Sequence, residues 1–201
     1  MAGSPDRKAF FDSVRESLFA GRLKPDHVEG MNRLLDACAG LPRAQTAYVL
    51  ATAYHESAHT MMPVREGLCR TDEGSIRAVT RMFEAGRIRT NYAAPDPETG
   101  QSYFGRGYPQ LTWRGNYAKA GQALGIDLVN NPGRALEPAV SAAILVRGMK
   151  EGWFTGKKLA DYISERTQIC DYRNARRIIN GLDKAAMIAG YARDFEKALM
   201  A

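Results

Sequence analysis

The chain has 201 residues, 45% apolar and 25% charged, with a net charge of +6 and a pI near 9.3. This is the balance of a globular protein long enough to bury a core without staples, and it excludes a disordered or low-complexity chain. No apolar run approaches the 18 residues of a membrane span, so stable membrane insertion is not expected. The start, Met1 to Lys8, is polar and lacks the apolar stretch of a secretory signal, which predicts synthesis and folding in the cytoplasm. Phe10, Phe11, Val14, Leu18 and Phe19 recur at helical spacing, and Gly21 ends that segment. Pro25 and Asp26 open a second helix carrying Val28, Met31, Leu34 and Leu35, closed by Gly40 and Pro42. A third runs from Arg43 to about Thr60. Its apolar residues lie on every side, which predicts a buried central helix. Residues 75–85 read as a short helix with Ile76, Val79, Met82 and Phe83 on one face, followed by a polar loop over 90–102.

Residues 103–113, Tyr-Phe-Gly-Arg-Gly-Tyr-Pro-Gln-Leu-Thr-Trp, change character. Glycine and proline exclude a regular helix. From Tyr108 onward a period of 2 puts Tyr108, Gln110 and Thr112 on a polar face and Pro109, Leu111 and Trp113 in the core. Helix returns near Pro138, again from Asp171 to Asn180 with Gly181 as a stop, and finally after Asp183 as N-cap, carrying Ile188, Tyr191, Phe195 and Leu199. Cys38, Cys69 and Cys170 lack metal-ligand spacing and are expected to be reduced and mostly buried. The positive charge suits an anionic partner. With no block of five or six basic residues, nucleic acid is not indicated.

The chemistry concentrates at His55-Glu56-Ser57-Ala58-His59. Glu56 ends an otherwise apolar helix. Burial disfavours a charged carboxyl, so the position suits a glutamate kept protonated, as a glycosidic general acid requires. The same residues spell the H-E-x-x-H zinc metalloprotease pattern, in which His55 and His59 share a helix face and Glu56 is the base. The third ligand is not evident. The metzincin extension is missing, since Thr60, Met61, Met62 and Pro63 follow, and Glu73 or Glu84 are the downstream candidates.

Two stretches together weigh against zinc. His55-Glu56-Ser57-Ala58-His59-Thr60, followed by Tyr103-Phe104-Gly105-Arg106-Gly107-Tyr108-Pro109-Gln110-Leu111-Thr112-Trp113 and the pair Asn116-Tyr117, resembles glycoside hydrolase family 19, which includes chitinases and a lysozyme-like branch of phage endolysins. Asp127-Leu128-Val129-Asn130-Asn131-Pro132 and Arg177-Ile178-Ile179-Asn180-Gly181 are similar to further segments of that family. The resemblance implies a mainly α, lysozyme-like fold of two lobes, with a buried central helix and a small irregular β element. It implies one catalytic domain over 1–201, with residues 1–42 as N-terminal helices packed on it and no separate wall-binding domain.

By the same resemblance Glu56 is the general acid. Tyr103, Arg106, Tyr108, Gln110, Thr112, Asn116 and Asn180 line the sugar site, with a structural ion pair as the other role for Arg106. The second carboxylate, which activates water from the opposite face, is expected to be Glu66, because Pro63-Val64-Arg65-Glu66 matches the endolysin branch. Glu73, Asp72 and Glu84 are the other candidates, and Thr71 is the threonine beside the second acid. One departure stands out: where chitinases place an arginine in the last helix, this chain has Met187. The implied reaction is inverting hydrolysis of β-1,4 bonds without metal or organic cofactor, with the carboxyls about 6.5–9.5 Å apart. Peptidoglycan glycan strands are the expected partner and chitin the alternative. The enzyme is expected to act as a monomer on the periplasmic wall once the membrane is permeabilised.

Overall fold

The computed structural model describes residues 6–201 and is mostly helical. The chain divides into two compact units. One runs to Met61 and resumes at Leu145; the other is Met62–Ile144. Among the described residues no helix is long and apolar enough to cross a membrane.

The first unit is organised by α3 (Arg43–Glu56), in which ten consecutive residues, Gln45 to Tyr54, are buried. With no polar face to turn to solvent, this helix must be covered on all sides. Its main cover is α8 (Ala185–Ala198), which buries Ile188, Ala189, Ala192 and Phe195. Tyr54 meets Phe195 edge-on at 5.9 Å between ring centroids and Tyr191 at 4.9 Å. The N-terminal helices complete the cover. α1 (Arg7–Leu18) is capped by Asp6, whose side chain accepts from the Lys8 and Ala9 amides, and it stacks Phe10 on Phe195 at 6.5 Å. α2 (Pro25–Ala37) opens on its proline and packs on α3. Burying each such large apolar side chain stabilises by about 1.5–3 kcal/mol. The Tyr54 hydroxyl donates to the Leu18 carbonyl at 2.7 Å, tying the end of α1 to the central helix.

α3 stops at Glu56, four residues short of the expected end. Ser57 caps it, and Ala58, His59 and Met61 take positive φ angles of 49°, 68° and 56°. The Ser57 hydroxyl, which accepts from the Met61 amide at 3.0 Å, offers the chain an alternative to helical pairing. The rest of this unit holds α7 (Leu159–Tyr162), a two-stranded antiparallel hairpin of β1 (Ile163–Ser164) and β2 (Ile169–Cys170), and a 3-10 turn, Asn174–Ile178, where a longer helix was expected. Asp183 does not cap α8. Lys184, at φ 56°, occupies that position.

The second unit contains α4 (Asp72–Glu84), α5 (Arg114–Leu124) and a 3-10 turn, Pro132–Leu136. α6 (Pro138–Glu151) contains the division between the units. α4 starts three residues earlier than expected because Thr71 caps it, accepting from the Gly74 amide, with Asp72 and Glu73 at its positive end. Val79, Ala93 and Phe104 form a cluster with Ile76, Met82, Ile88 and Tyr92 around it, whereas Phe83 is exposed. α5, which sequence periodicity did not mark, ends on Gly125 in the left-handed conformation.

The segment 103–113 is not the alternating strand read from the sequence. Gly107, at φ 82°, and Gln110, at φ 51°, reverse the chain, so that Arg106 and Leu111 exchange backbone hydrogen bonds of 3.2 and 2.9 Å. The reversal breaks the period of 2. Tyr108 is fully buried and Trp113 is 48% exposed, the opposite of the expectation. The regular sheet is instead the hairpin at 163–170. The cysteines also differ from expectation: Cys38 alone is buried, Cys69 is half-buried and Cys170 exposed. Burial pushes the Cys38 thiol up to about 12.

Gly107 is the tightest point of the turn. A Cβ there would stand 2.5 Å from the Ser141 hydroxyl and 2.7 Å from the Ala135 carbonyl, on a backbone conformation that L-residues avoid. Gly107→Ala is therefore expected to destabilise the protein by about 2–4 kcal/mol. Denaturant unfolding followed by circular dichroism checks this; an unchanged midpoint would mean that the turn is not rigid.

Candidate active site

Glu56 is the last residue of α3, with its side chain 19% exposed. The surroundings expected from sequence were apolar. The partner found is a cation: Arg176, 5% exposed, donates from Nη1 to Glu56 Oε1 at 2.5 Å. Arg176 sits in the 3-10 turn 174–178, and its Nε donates to the Asp183 carbonyl at 3.1 Å. A guanidinium bonded to a carboxylate and to a carbonyl has little freedom to swing. Sequence reasoning missed Arg176. Its signal was its place between Ala175 and Ile178, both buried, in a segment with helical spacing. Met187, the departure noted in the last helix, is exposed. Asn180 is exposed; its side-chain oxygen accepts from the Gly181 amide at 2.8 Å.

The zinc geometry does not form. Because the helix stops at Glu56, His59 is not one turn above His55. Its ring stacks on Tyr54 at 4.2 Å, with Tyr191 edge-on beside it. Among the described residues no three His, Cys, Asp or Glu side chains gather as a ligand set. Burial holds the His55 imidazole below its usual pKa, with Glu56 pulling the other way.

In the second unit Glu66 opens a short 3-10 turn, Glu66–Leu68. The Gly105 amide donates to its Oε2 at 2.9 Å, and the Tyr92 hydroxyl to its Oε1 at 3.3 Å. Burial, with the Glu66 charge next in weight, pushes the Tyr92 hydroxyl up to about 12, so it stays a donor at neutral pH. The Glu66 amide in turn donates to the Gly105 carbonyl at 2.8 Å. Gln110 lies on the same glycine. Its amide donates to the Val64 and Gly107 carbonyls at 3.0 and 2.9 Å, leaving Oε1 turned toward Gly105. A Cβ on Gly105 would meet Glu66 Oε2 at 2.5 Å and Gln110 Oε1 at 2.9 Å, so only glycine lets both oxygens converge there. Thr112 donates to the Gln110 carbonyl, and Asn116, exposed, donates to the Thr112 carbonyl at 2.8 Å. Gln110, Thr112 and Asn116 thus form one hydrogen-bonded stretch, and Glu66 meets it at Gly105, toward which both its Oε2 and Gln110 Oε1 turn.

The other expected residues have different places. Tyr103 is buried, its hydroxyl bonded to Thr99 and to the Val129 carbonyl, and Tyr108 is buried with its amide on the Ser141 hydroxyl. Arg106 is 2% exposed and takes the structural role: it pairs with Asp72 at 2.8 Å and bonds the Ser102 carbonyl and the Tyr117 hydroxyl. Asp72 also pairs with Arg65 at 2.6 Å, so both its oxygens are engaged. Glu73 and Glu84 are exposed on α4, and Thr71 is its cap. Of the four carboxylates considered for the second role, Glu66 alone lies on the Gly105 amide beside Gln110.

A family model described as class I chitinase, glycoside hydrolase family 19, matches residues 46–155, more than half of the chain. The chain belongs to glycoside hydrolase family 19. Among curated relatives, Endochitinase 2 of Gossypium hirsutum is 49% identical over 47 residues, 21% of this chain and 16% of that protein. Inactive chitinase-like protein 1 of Hevea brasiliensis has the same identity over the same length, covering 15% of its own chain. The chain thus spans about a sixth of these family members. In fold it is similar to chitinase C from Streptomyces griseus HUT6037, with a TM-score of 0.64, 20% identity, and coverage of 100% of this chain and 79% of that one. The family's Gly-Arg-Gly block is here the turn that carries Glu66's amide donor and the buried arginine.

The Asp72–Arg106 pair has a pH signature. Burial alone would raise the Asp72 carboxyl, but the Arg106 and Arg65 guanidiniums outweigh it and hold the group below its ordinary value of 3.8. A carboxyl depressed in the folded state stabilises fully above its unfolded value, and the contribution is lost as pH falls through the folded one. Asp72→Asn should cost about 2 kcal/mol at pH 7, less than for a fully buried pair because Asp72 is 38% exposed. The gap between variant and wild type should narrow below pH 4. Thermal melts at pH 7, 5 and 3 read this directly, and a pH-independent gap would exclude the linkage.

Proposed function

We propose that the chain is a glycosidase that hydrolyses β-1,4 bonds between N-acetylated amino sugars, with the glycan strands of bacterial peptidoglycan as its substrate. The observation that carries this is Glu66, held by the Gly105 amide and the Tyr92 hydroxyl in a family 19 chain. Glu56 is fixed through Oε1 by Arg176, which leaves Oε2 to carry the proton to the leaving oxygen. Glu66 is met by two donors, the Gly105 amide and the Tyr92 hydroxyl, as suits a carboxylate that accepts the proton of the attacking water. Attack from the face opposite the leaving group inverts the anomeric centre, so the first product is the α-anomer. No cofactor enters the scheme. The net charge of +6 supports an anionic wall polymer. Similarity to endochitinases and to chitinase C supports chitin as the second reading. On the first reading the enzyme is an endolysin that works as a monomer on the periplasmic wall, reaching it once the membrane is permeabilised.

The test is reducing-end release from purified Gram-negative peptidoglycan and from a chitin hexamer, with and without EDTA. Wild type should clear the wall regardless of chelator. Glu56→Gln and Glu66→Gln should each lose at least about a hundredfold in rate while keeping the native circular dichroism spectrum. Release from chitin alone would make the protein a chitinase, and an active Glu56→Gln would remove the proposed acid.

Gly105→Ala provides a finer probe. The atoms it displaces are the ends of flexible side chains, so stability should hardly change. Misplacing Glu66 should lower the rate by about a hundredfold. A fully active Gly105→Ala would detach the Gly105 cradle from catalysis.

A further inference from the structure

Trp113 is a large apolar side chain left 48% exposed, while Leu111, two residues before it, takes the core position. Its backbone stands at φ 75°, ψ 134°, a region that glycine enters freely and a bulky residue does not. That conformation is held from both sides. The Trp113 amide donates to the Tyr103 carbonyl at 2.9 Å, and its carbonyl accepts from the Asn116 and Tyr117 amides at 3.0 and 3.2 Å as α5 begins. A tryptophan at such a position gains little burial and works against the local backbone preference. Strain of this kind, retained in a pinned turn, points to a role outside the core.

The ring's neighbour indicates the role. Trp113 packs against Tyr92, with centroids 5.4 Å apart and planes tilted by 55°. Tyr92 bonds Glu66 at 3.3 Å. The row therefore runs from an exposed indole through a phenol to the carboxylate. Thr112 and Asn116, its neighbours in the chain, supply polar groups on the same stretch. A pyranose ring of a β-linked amino sugar presents one face of C–H groups and an edge of hydroxyl and acetamido groups. An exposed indole flanked by hydroxyl and carboxamide groups matches both.

We propose that Trp113 is a sugar-stacking platform that binds one N-acetylhexosamine ring of the substrate beside Glu66. This rests on the glycosidase reading above for its ligand class, but it is tested separately. With two tryptophans in the chain, the double variant Glu56→Gln/Trp153→Phe leaves Trp113 as the sole indole. Its emission should shift to shorter wavelength and saturate when titrated with the chitin hexamer or with glycan strands stripped of peptide. No shift with either probe overturns the proposal, whether or not the wild type is hydrolytic. On whichever polymer wild type cleaves, Trp113→Ala should raise KM by about tenfold with kcat changed less than about twofold, and Trp113→Phe should recover part of the loss. Trp113→Gly separates binding from packing. It should lose affinity like the alanine variant while its melting temperature stays level or rises, because the strained position is relieved. A Trp113→Gly protein that melts several degrees lower with unchanged KM would make the residue a packing element and refute the platform. Activity in none of the wild-type assays, together with an intact fluorescence response, would remove the glycosidase reading and leave the sugar platform standing.

Discussion

Arg106 is the constraint on which the second unit depends. Taking a guanidinium out of water costs several kcal/mol unless its donors and charge are matched. Here Asp72 supplies the charge, the Ser102 carbonyl and Tyr117 hydroxyl take donors, and Phe104 lies 3.6 Å beneath the guanidinium carbon. Nε alone has no hydrogen-bond partner. Asp72, Ser102 and Tyr117 tie the arginine, which itself stands at the reversal before Gly107, to the first turn of α4, the end of the polar loop and the first turn of α5. Glu66 is placed by the same arrangement, since Arg65 pairs with both Asp72 and the backbone of Arg106. A buried cation thus holds the geometry around a carboxylate that it does not touch.

The two carboxylates are held by different means. Glu56 closes a helix buried on every side from Gln45 to Tyr54 and is met by a single long side chain from a distant turn. Glu66 sits in a loop and is held by a backbone amide that can come close because residue 105 has no side chain. The first arrangement depends on charge, the second on the absence of a methyl group.

Much of this was legible in the sequence, for physical reasons. Apolar residues on all sides of the segment from Arg43 to about Thr60 predicted a buried helix, and the glycines and proline of 103–113 excluded a regular helix there. The block's length also made the family recognisable. The period-2 reading of 108–113 failed because alternation assumes an extended backbone, whereas positive φ at Gly107 and Gln110 turns the chain back. That inverted the fates of Tyr108 and Trp113. The helix at 171–180 was overestimated because helical spacing does not distinguish a 3-10 turn from an α-helix over five residues. Arg176 was invisible as a partner of Glu56, since 120 residues separate them and no local pattern links them. Asp72 illustrates the opposite limit. Composition could name it as an acid near the site, but only its two arginine partners show that it is committed to structure.

The order of α3 and α8 along the chain has a consequence for synthesis. The central helix leaves the ribosome long before the helix that covers most of it, and the whole of residues 62–144 is made in between. Throughout that interval a helix with ten consecutive residues destined for burial lacks its principal neighbour. Nascent chains in this condition are prone to association and are the usual clients of holding chaperones. Because Arg176 is made 120 residues after Glu56, the Glu56 carboxyl also waits for its ion-pair partner until long after α3 has been synthesised.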